Sequence, residues 1–568
     1  MQTDCARPTC SNEAAKFPAP RTAIGVFLDK YSLLLCIIFV GIACVRIISA
    51  DKALSLTPDE PFHLACAIDY LSNHEVGWDL ENPPVARALE AIGPYLAGVR
   101  LTSSTTNPYV DGADMLARTG NVDGMVFRLR LGTLPFFLLA CLVVGGWANH
   151  FFGKAVAVIA VALFTSLPTT LSDAGLGTTD MALAATTGAA FLAAILWAEK
   201  PSWIRAIVMG LLTALAFLSK STALGYLAIS VLLGAWAYWV TSPIGWRALL
   251  HLASRYLATF VLAVMVTVLV IWAAYWFSFG PVPELGISLP APEYFQGLLT
   301  ALNHNKNGAN AYLLGEFGTG GWWYYFPVAL AVKTPIAFLI LAAMGIIVCF
   351  RLRATISYLL PAAFVLGVLL PAMTGRINIG VRHVAPVYLG LSIIAALGLL
   401  RLLQSSRYRL LSYSTAIVLL VWMNVSVGMQ HPDYLAYFNG FAGKHPENIL
   451  VDSNYDWGQD LKVLSKRLHQ LGADHVALGS LDGAIRDRYR EEWYGIPRII
   501  NVDDVTPAPG WTAVSASFVK SYRFMIPARV TVQNAWYERV TPTERLGPYF
   551  LYYVPPAGGA PAQNAAHP

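Results

Sequence analysis

Charge is scarce in this chain: only 13% of its 568 residues are Asp, Glu, Lys or Arg, while 56% are hydrophobic. A soluble enzyme carries about a quarter charged residues, so that class is excluded and the chain reads as an integral membrane protein. A formal net charge of +5 leaves no footprint for nucleic acid, and no such partner is expected. Cysteine is sparse as well. Positions 5, 10, 36, 44, 66, 141 and 349 hold all seven, a scatter that gives neither a disulfide framework nor zinc spacing. No histidine lies near Cys5 and Cys10 to complete a metal site, and residues 1–30 read as a disordered basic tail. The first apolar run has no small-residue cleavage site, so 31–49 is read as a retained span. Also missing are a G-x-x-x-x-G-K-[ST] nucleotide loop and any internal repeat of the kind that builds inverted transporter halves.

What is present is a series of apolar runs. Stretches long enough to cross hydrocarbon lie near 31–49, 129–148, 155–171, 178–198, 206–219, 222–240, 256–278, 326–349, 355–373, 383–402 and 410–429, about eleven in all. One set of short connections collects the cations: Arg7, Lys16, Arg21 and Lys30, then Lys154, Lys200 with Arg205, Arg247 with Arg255, Arg351 with Arg353, and Arg401 with Arg407 and Arg409. By the positive-inside rule these face the cytoplasm. The alternate set is poor in cations and holds the long polar segments: loops 50–128 and 279–325 and everything after 430. The expected division is a cytoplasmic tail 1–30, a transmembrane domain 31–429, an extracytoplasmic domain 430–555 and a disordered tail 556–568. Within 430–555, short β-rich runs at 513–515 and 529–532 and a helical stretch at 458–471 predict a small α/β domain. The fold class expected is therefore an α-helical polytopic membrane protein with a small C-terminal extracytoplasmic α/β domain, in the plasma (inner) membrane.

Against so apolar a background the charged residues of the outer side stand out. Asp59 and Glu60 follow the first span, with His63 nearby, and Glu81 opens the sequence Glu81-Asn82-Pro83-Pro84, whose prolines fix a turn at the membrane surface. Asp180 opens another apolar run on the same side, seven residues after Asp173. Each acid alone reads as a helix cap or a solvated loop residue. Together, one carboxylate could activate a hydroxyl while the other orients it or holds a cation. Lys220, Arg376, Arg382 and His383 are the cations of that face and suit a lipid phosphate. Lys333 alone reads as a snorkelling residue. Tyr324 and Tyr325 lie in an aromatic, glycine-dotted loop that serves as an interfacial belt or as a face for a sugar or prenyl chain.

In their order these elements resemble the GT-C superfamily of membrane glycosyltransferases, in the branch of protein O-mannosyltransferases and aminoarabinose lipid A transferases. The resemblance is carried by Asp59-Glu60, Asn82-Pro83-Pro84, Thr179-Asp180, Leu218-Ser219-Lys220, the aromatic run from Tyr312 to Pro327, Lys333-Thr334-Pro335 and Arg382-His383. It implies transfer of a sugar from a polyprenyl-phosphate donor to a hydroxyl of a lipid, glycan or protein acceptor, with inversion. Asp59 would be the base, Glu60 and Asp180 would position base or acceptor, and Lys220 and Arg382, with His383 and Arg376, would hold the donor phosphate. His63, Glu81, Tyr324, Tyr325 and Lys333 would contact substrate. No cofactor is required, and a divalent cation is left open. Many relatives carry His where Asn82 stands. The segments from Pro432 to Asn439 and from Asp452 to Asp460 are similar to bacterial glycosyltransferases with a C-terminal domain. A lipid or solute transporter is the rival class, in which the same carboxylates would couple to ions.

Overall fold

In hydrocarbon the helix satisfies its own backbone, so long apolar runs have one low-energy form. The computed structural model is accordingly dominated by helices, and it describes residues 23–101, 107–242, 246–404, 408–480, 487–521, 525 and 535–556. Cys5, Cys10, Arg7, Lys16, Arg21, Arg407, the run 529–532 and nearly all of the closing tail lie outside the described residues. Within the expected N-terminal tail, Ala23–Lys30 is already helical.

Among the described residues, seven helices are long and apolar enough to span: Ser32–Ala53, Val122–Phe152, Asp180–Glu199, Thr222–Thr241, Tyr256–Ala274, Ile356–Thr374 and Arg409–Gly428. Tyr325–Lys333 and Ile336–Arg351 form an eighth if taken together, but they meet at 117°. Pro335 stands in that break, where it cannot donate to a continuing helix. Lys154–Phe164, Trp203–Phe217 and Val387–Leu403 are shorter apolar helices. Each expected stretch therefore overlaps an apolar helix, while full-length crossings number seven or eight by length. Pro168 accounts for part of the difference, dividing the stretch 155–171 into Lys154–Phe164 and Pro168–Asp173.

Small residues set the closest helix contacts. A Cβ on Gly345 would lie 1.8 Å from the Ile394 carbonyl oxygen, and one on Gly398 would lie 2.2 Å from that of Leu341. Glycine there lets the helices Ile336–Arg351 and Val387–Leu403 approach backbone to backbone, the usual device of membrane packing.

At one end of the helices the loop 50–128 and the chain after 430 fold together. The C-terminal sheet has the strand order 498–501, 475–479, 510–515, 549–554, 544–546; the first three run parallel and the last two pair antiparallel. Leu461, Leu464 and Leu468, on the helix Leu461–Gln470, share one apolar core with Val476 and Leu551 of the sheet and with Leu64, Ile68 and Leu116 of the first loop. The helix Asp59–Asn73, whose acids occupy the first turn where the helix dipole favours them, is clamped between that core and the membrane helices.

Candidate active site

Between this loop layer and the helix ends lies a cavity of about 1080 Å³. Its chemistry converges on one guanidinium. Arg382 Nη2 donates to Asp59 Oδ2 at 3.1 Å and Nη1 to Asp180 Oδ2 at 3.3 Å. Lys220 Nζ reaches the other Asp180 oxygen at 2.7 Å. Asp59 is supplied by the helix that follows the first span, Asp180 by the N-terminus of Asp180–Glu199, Lys220 by the turn between Trp203–Phe217 and Thr222–Thr241, and Arg382 by the short turn Val381–Val384. Four separate elements thus deliver two acids and two cations to one place. Asp180 is 1% exposed and Asp59 25%, so Asp180 is a fixed counter-ion while Asp59 faces the open space.

Arg382 is held from its other sides as well. The Trp457 ring lies 3.9 Å from its guanidinium carbon, and Nε donates to Ser453 Oγ at 3.2 Å. Burial works against its charge, but Asp180 and Asp59 outweigh that and raise its pKa further. The same burial, with Lys220 and Arg382 adding to it, holds His383 well below the usual imidazole range. His63 is lowered to about 4 by burial and by Arg87. Both imidazoles are neutral at physiological pH. Asp452, also on the cavity wall, is pushed up to about 6 by burial.

Asp59, Asp180, Lys220, Arg382, His383, His63 and Glu81 all line the cavity. Glu81 pairs with His304 Nδ1 at 2.8 Å. Five expected site residues do not line it. Glu60 turns away from the cavity that Asp59 lines, because neighbours on a helix point about 100° apart. It is fully buried against Arg130, 2.7 Å from its Nε, and it also accepts from Thr57 N at 2.8 Å and Gly177 N at 3.0 Å. Burial opposes its ionisation, yet Arg130 and these donors hold it below the ordinary carboxylate value. Arg130 spends its remaining protons on the carbonyls of Asp51 and Ser55, so this pair fixes the end of the first span. Lys333 is buried, donating to the carbonyls of Leu435 and Asn454 under the Phe438 ring. Tyr325 is buried, its hydroxyl accepting from Asn454. Tyr324 lies outside the cavity; of its aromatic run, Phe326 reaches the lining. Arg376 is exposed and donates to the Lys306 carbonyl.

Sequence reasoning missed Asp79, Asp452 and Trp457 on the wall. Asp79 accepts from Arg87 at 2.8 Å and from the Asn82 amide at 2.9 Å, so Asn82 braces the turn. The spacing from Asp79 to Arg87, across the two prolines, is the signal that could have found it. Among the described residues no group of three or more His, Cys, Asp or Glu side chains is placed to hold a metal ion. The paired acids instead draw their compensating charge from Arg382 and Lys220.

Fold and site together define a multi-pass membrane protein with a charged cavity at the loop-rich end of its helices. No family model and no curated protein matches the chain. Among solved structures it is similar to ArnT from Cupriavidus metallidurans bound to undecaprenyl phosphate, at 14% identity and a TM-score of 0.48 over 91% of this chain and 97% of that one. The apo state of the same protein gives 14% identity and a TM-score of 0.49 over the same shares. An Archaeoglobus fulgidus oligosaccharyltransferase tethered to an acceptor peptide gives 13% and 0.44 over 72% and 58%. At this identity no residue role passes from them to this chain, and the site stands on its own geometry.

Proposed function

We propose that this chain is a membrane glycosyltransferase that moves a sugar from a polyprenyl-phosphate donor to an acceptor hydroxyl, with inversion, on the extracytoplasmic face of the plasma membrane. The observation that carries the reading is the arrangement around Arg382: two acids and two cations meet in a cavity that also has an apolar wall. That wall is formed by Leu224 and Ala228 of one membrane helix, Pro371 and Ala372 of another, and Leu298 and Leu302 of the helix Pro292–Asn307. A phosphate on an isoprenoid needs this combination of a cationic head site and a hydrocarbon-lined exit.

In the step proposed, the acceptor oxygen attacks the anomeric carbon while Asp59 takes its proton. The bond from that carbon to the phosphate oxygen breaks, and its electron pair leaves with the polyprenyl phosphate. Lys220 and Arg382 lie where the charge on that oxygen grows. Asp180 keeps both cations aimed into the cavity. The donor arrives activated, which agrees with the lack of a nucleotide loop in the sequence.

The test uses purified protein, a panel of radiolabelled polyprenyl-phosphate sugars and membrane extract. Label should leave one donor for an acceptor, and Asp59→Asn should cut that rate about 10²- to 10⁴-fold while the variant still binds the donor. Full activity of D59N, or label that never leaves any donor, would overturn the reading.

A further inference from the structure

The cavity lining is of two kinds. The membrane helices supply the apolar stretch described, together with Asp180 and Lys220 at their ends. The first loop and residues 452–457 supply the other part of the lining, with Asp59, His63, Asp79, Tyr109 and Asp452. We infer that this part is the acceptor subsite and that it takes an uncharged saccharide, one whose reacting hydroxyl has no phosphate or carboxylate beside it. The inference rests on the transferase reading above.

Charge is the first argument. Five carboxylates line the cavity, from Asp59, Asp79, Glu81, Asp180 and Asp452, against the two permanent cations Lys220 and Arg382. Both cations are held by Asp180 and, in the reaction proposed, serve the donor phosphate. His63 and His383 are neutral, and His304 is paired with Glu81. Arg87, behind the wall, is tied to the lining residue Asp79. An acceptor carrying its own phosphate would enter a chamber where, among the described residues, every cation is already engaged and the excess charge has its own sign.

His63 is an independent sign of a ligand. Its side chain lines the cavity and the residue is only 7% exposed, yet Nδ1 has no hydrogen-bond partner. A buried polar atom left unpaired is costly, and here it belongs to a residue of the cavity wall, where a ligand could supply what the protein does not. A neutral imidazole has one donor and one acceptor, which matches a sugar hydroxyl and gives little to an anion. Beside it the Phe62 and Tyr109 rings, 4.7 Å apart, also line the cavity and offer an apolar surface to the C–H face of a sugar ring. A peptide acceptor is less well served. None of the lining residues among those described belongs to a strand, so there is no sheet edge to pair an extended backbone.

The test uses full-length protein in nanodiscs with the labelled donor that it turns over, measuring release of polyprenyl phosphate and label on acceptor separately. Three acceptor classes are offered: neutral trisaccharides, a phosphorylated glycolipid and a Ser/Thr peptide. Label should appear on a neutral trisaccharide at least about tenfold faster than on the other two. His63→Ala should raise the KM for that acceptor about tenfold and leave the donor KM unchanged, and His63→Asn should recover part of the loss. Preferential labelling of the phosphorylated lipid or the peptide, or an equal rise in both KM values in H63A, overturns the inference and leaves the transferase reading standing. If no donor is consumed with any acceptor, the transferase reading fails first.

Discussion

Adjacent acids with opposite fates are the main lesson at the scale of single residues. Asp59 is partly exposed beside one guanidinium, whereas Glu60 is sealed in a bidentate pair with Arg130. Removing one partner of such a buried pair leaves the other charge uncompensated, at roughly 3–5 kcal/mol. Glu60→Gln should therefore lower thermal stability sharply in detergent, while Asp59→Asn should leave the melting temperature close to that of the parent. Asp452 supplies a pH dependence. Its pKa of about 6 in the fold lies above its ordinary 3.8, chiefly through burial, so between those values the native state holds a proton that the unfolded chain has lost. Stability from this group is greatest below about pH 4, falls as pH rises to about 6 and is flat beyond. Melting curves of the parent and Asp452→Asn over this range should differ by that slope.

The helix pairs show how tightly the scaffold is fixed. Any side chain at Gly345 would meet the Ile394 carbonyl, and a clash with backbone cannot be relieved by a rotamer change. Gly345→Val should cost at least about 1–3 kcal/mol, visible as earlier thermal unfolding and lower yield from membranes. At this scale the sequence was readable wherever composition decides: the apolar runs overlap helices, and Asp59, Asp180, Lys220 and Arg382 stood out because charge beside hydrocarbon is expensive. It was less readable where direction or closure decides. The adjacency of Asp59 and Glu60 hid their divergence around a helix. Arg130 was obscured by its place at the head of an apolar run, and Lys333, read as a snorkelling cation, is in fact capped by distant carbonyls. Trp457 and Asp452 reach the cavity only because the chain returns after more than 390 residues to pack on the first loop; 452 and 59 are 393 apart in sequence, and no local pattern encodes that contact.

Viewed as a whole, the molecule does not divide cleanly at residue 430. Asn439 donates to the carbonyls of Ala331 and Thr334 at 2.6 Å each, and Ser55 N to that of Gln459 at 2.8 Å. Lys333 relies on Leu435 and Asn454 for its acceptors. A chain ended after Gln430 would leave a buried ammonium unsatisfied and half of a shared apolar core open to water. Such a truncation should fail to yield a monodisperse membrane protein on size-exclusion chromatography, whereas an independent appendage could be removed without loss. The sharing of Arg382 between Asp59 and Asp180 has a consequence of its own. A newly arrived phosphate must compete for the same guanidinium, and whatever it wins is drawn from its hold on the acids. On the proposed reading the guanidinium that seats the carrier is the same one that fixes Asp59, so docking of the carrier and repositioning of the base become a single event.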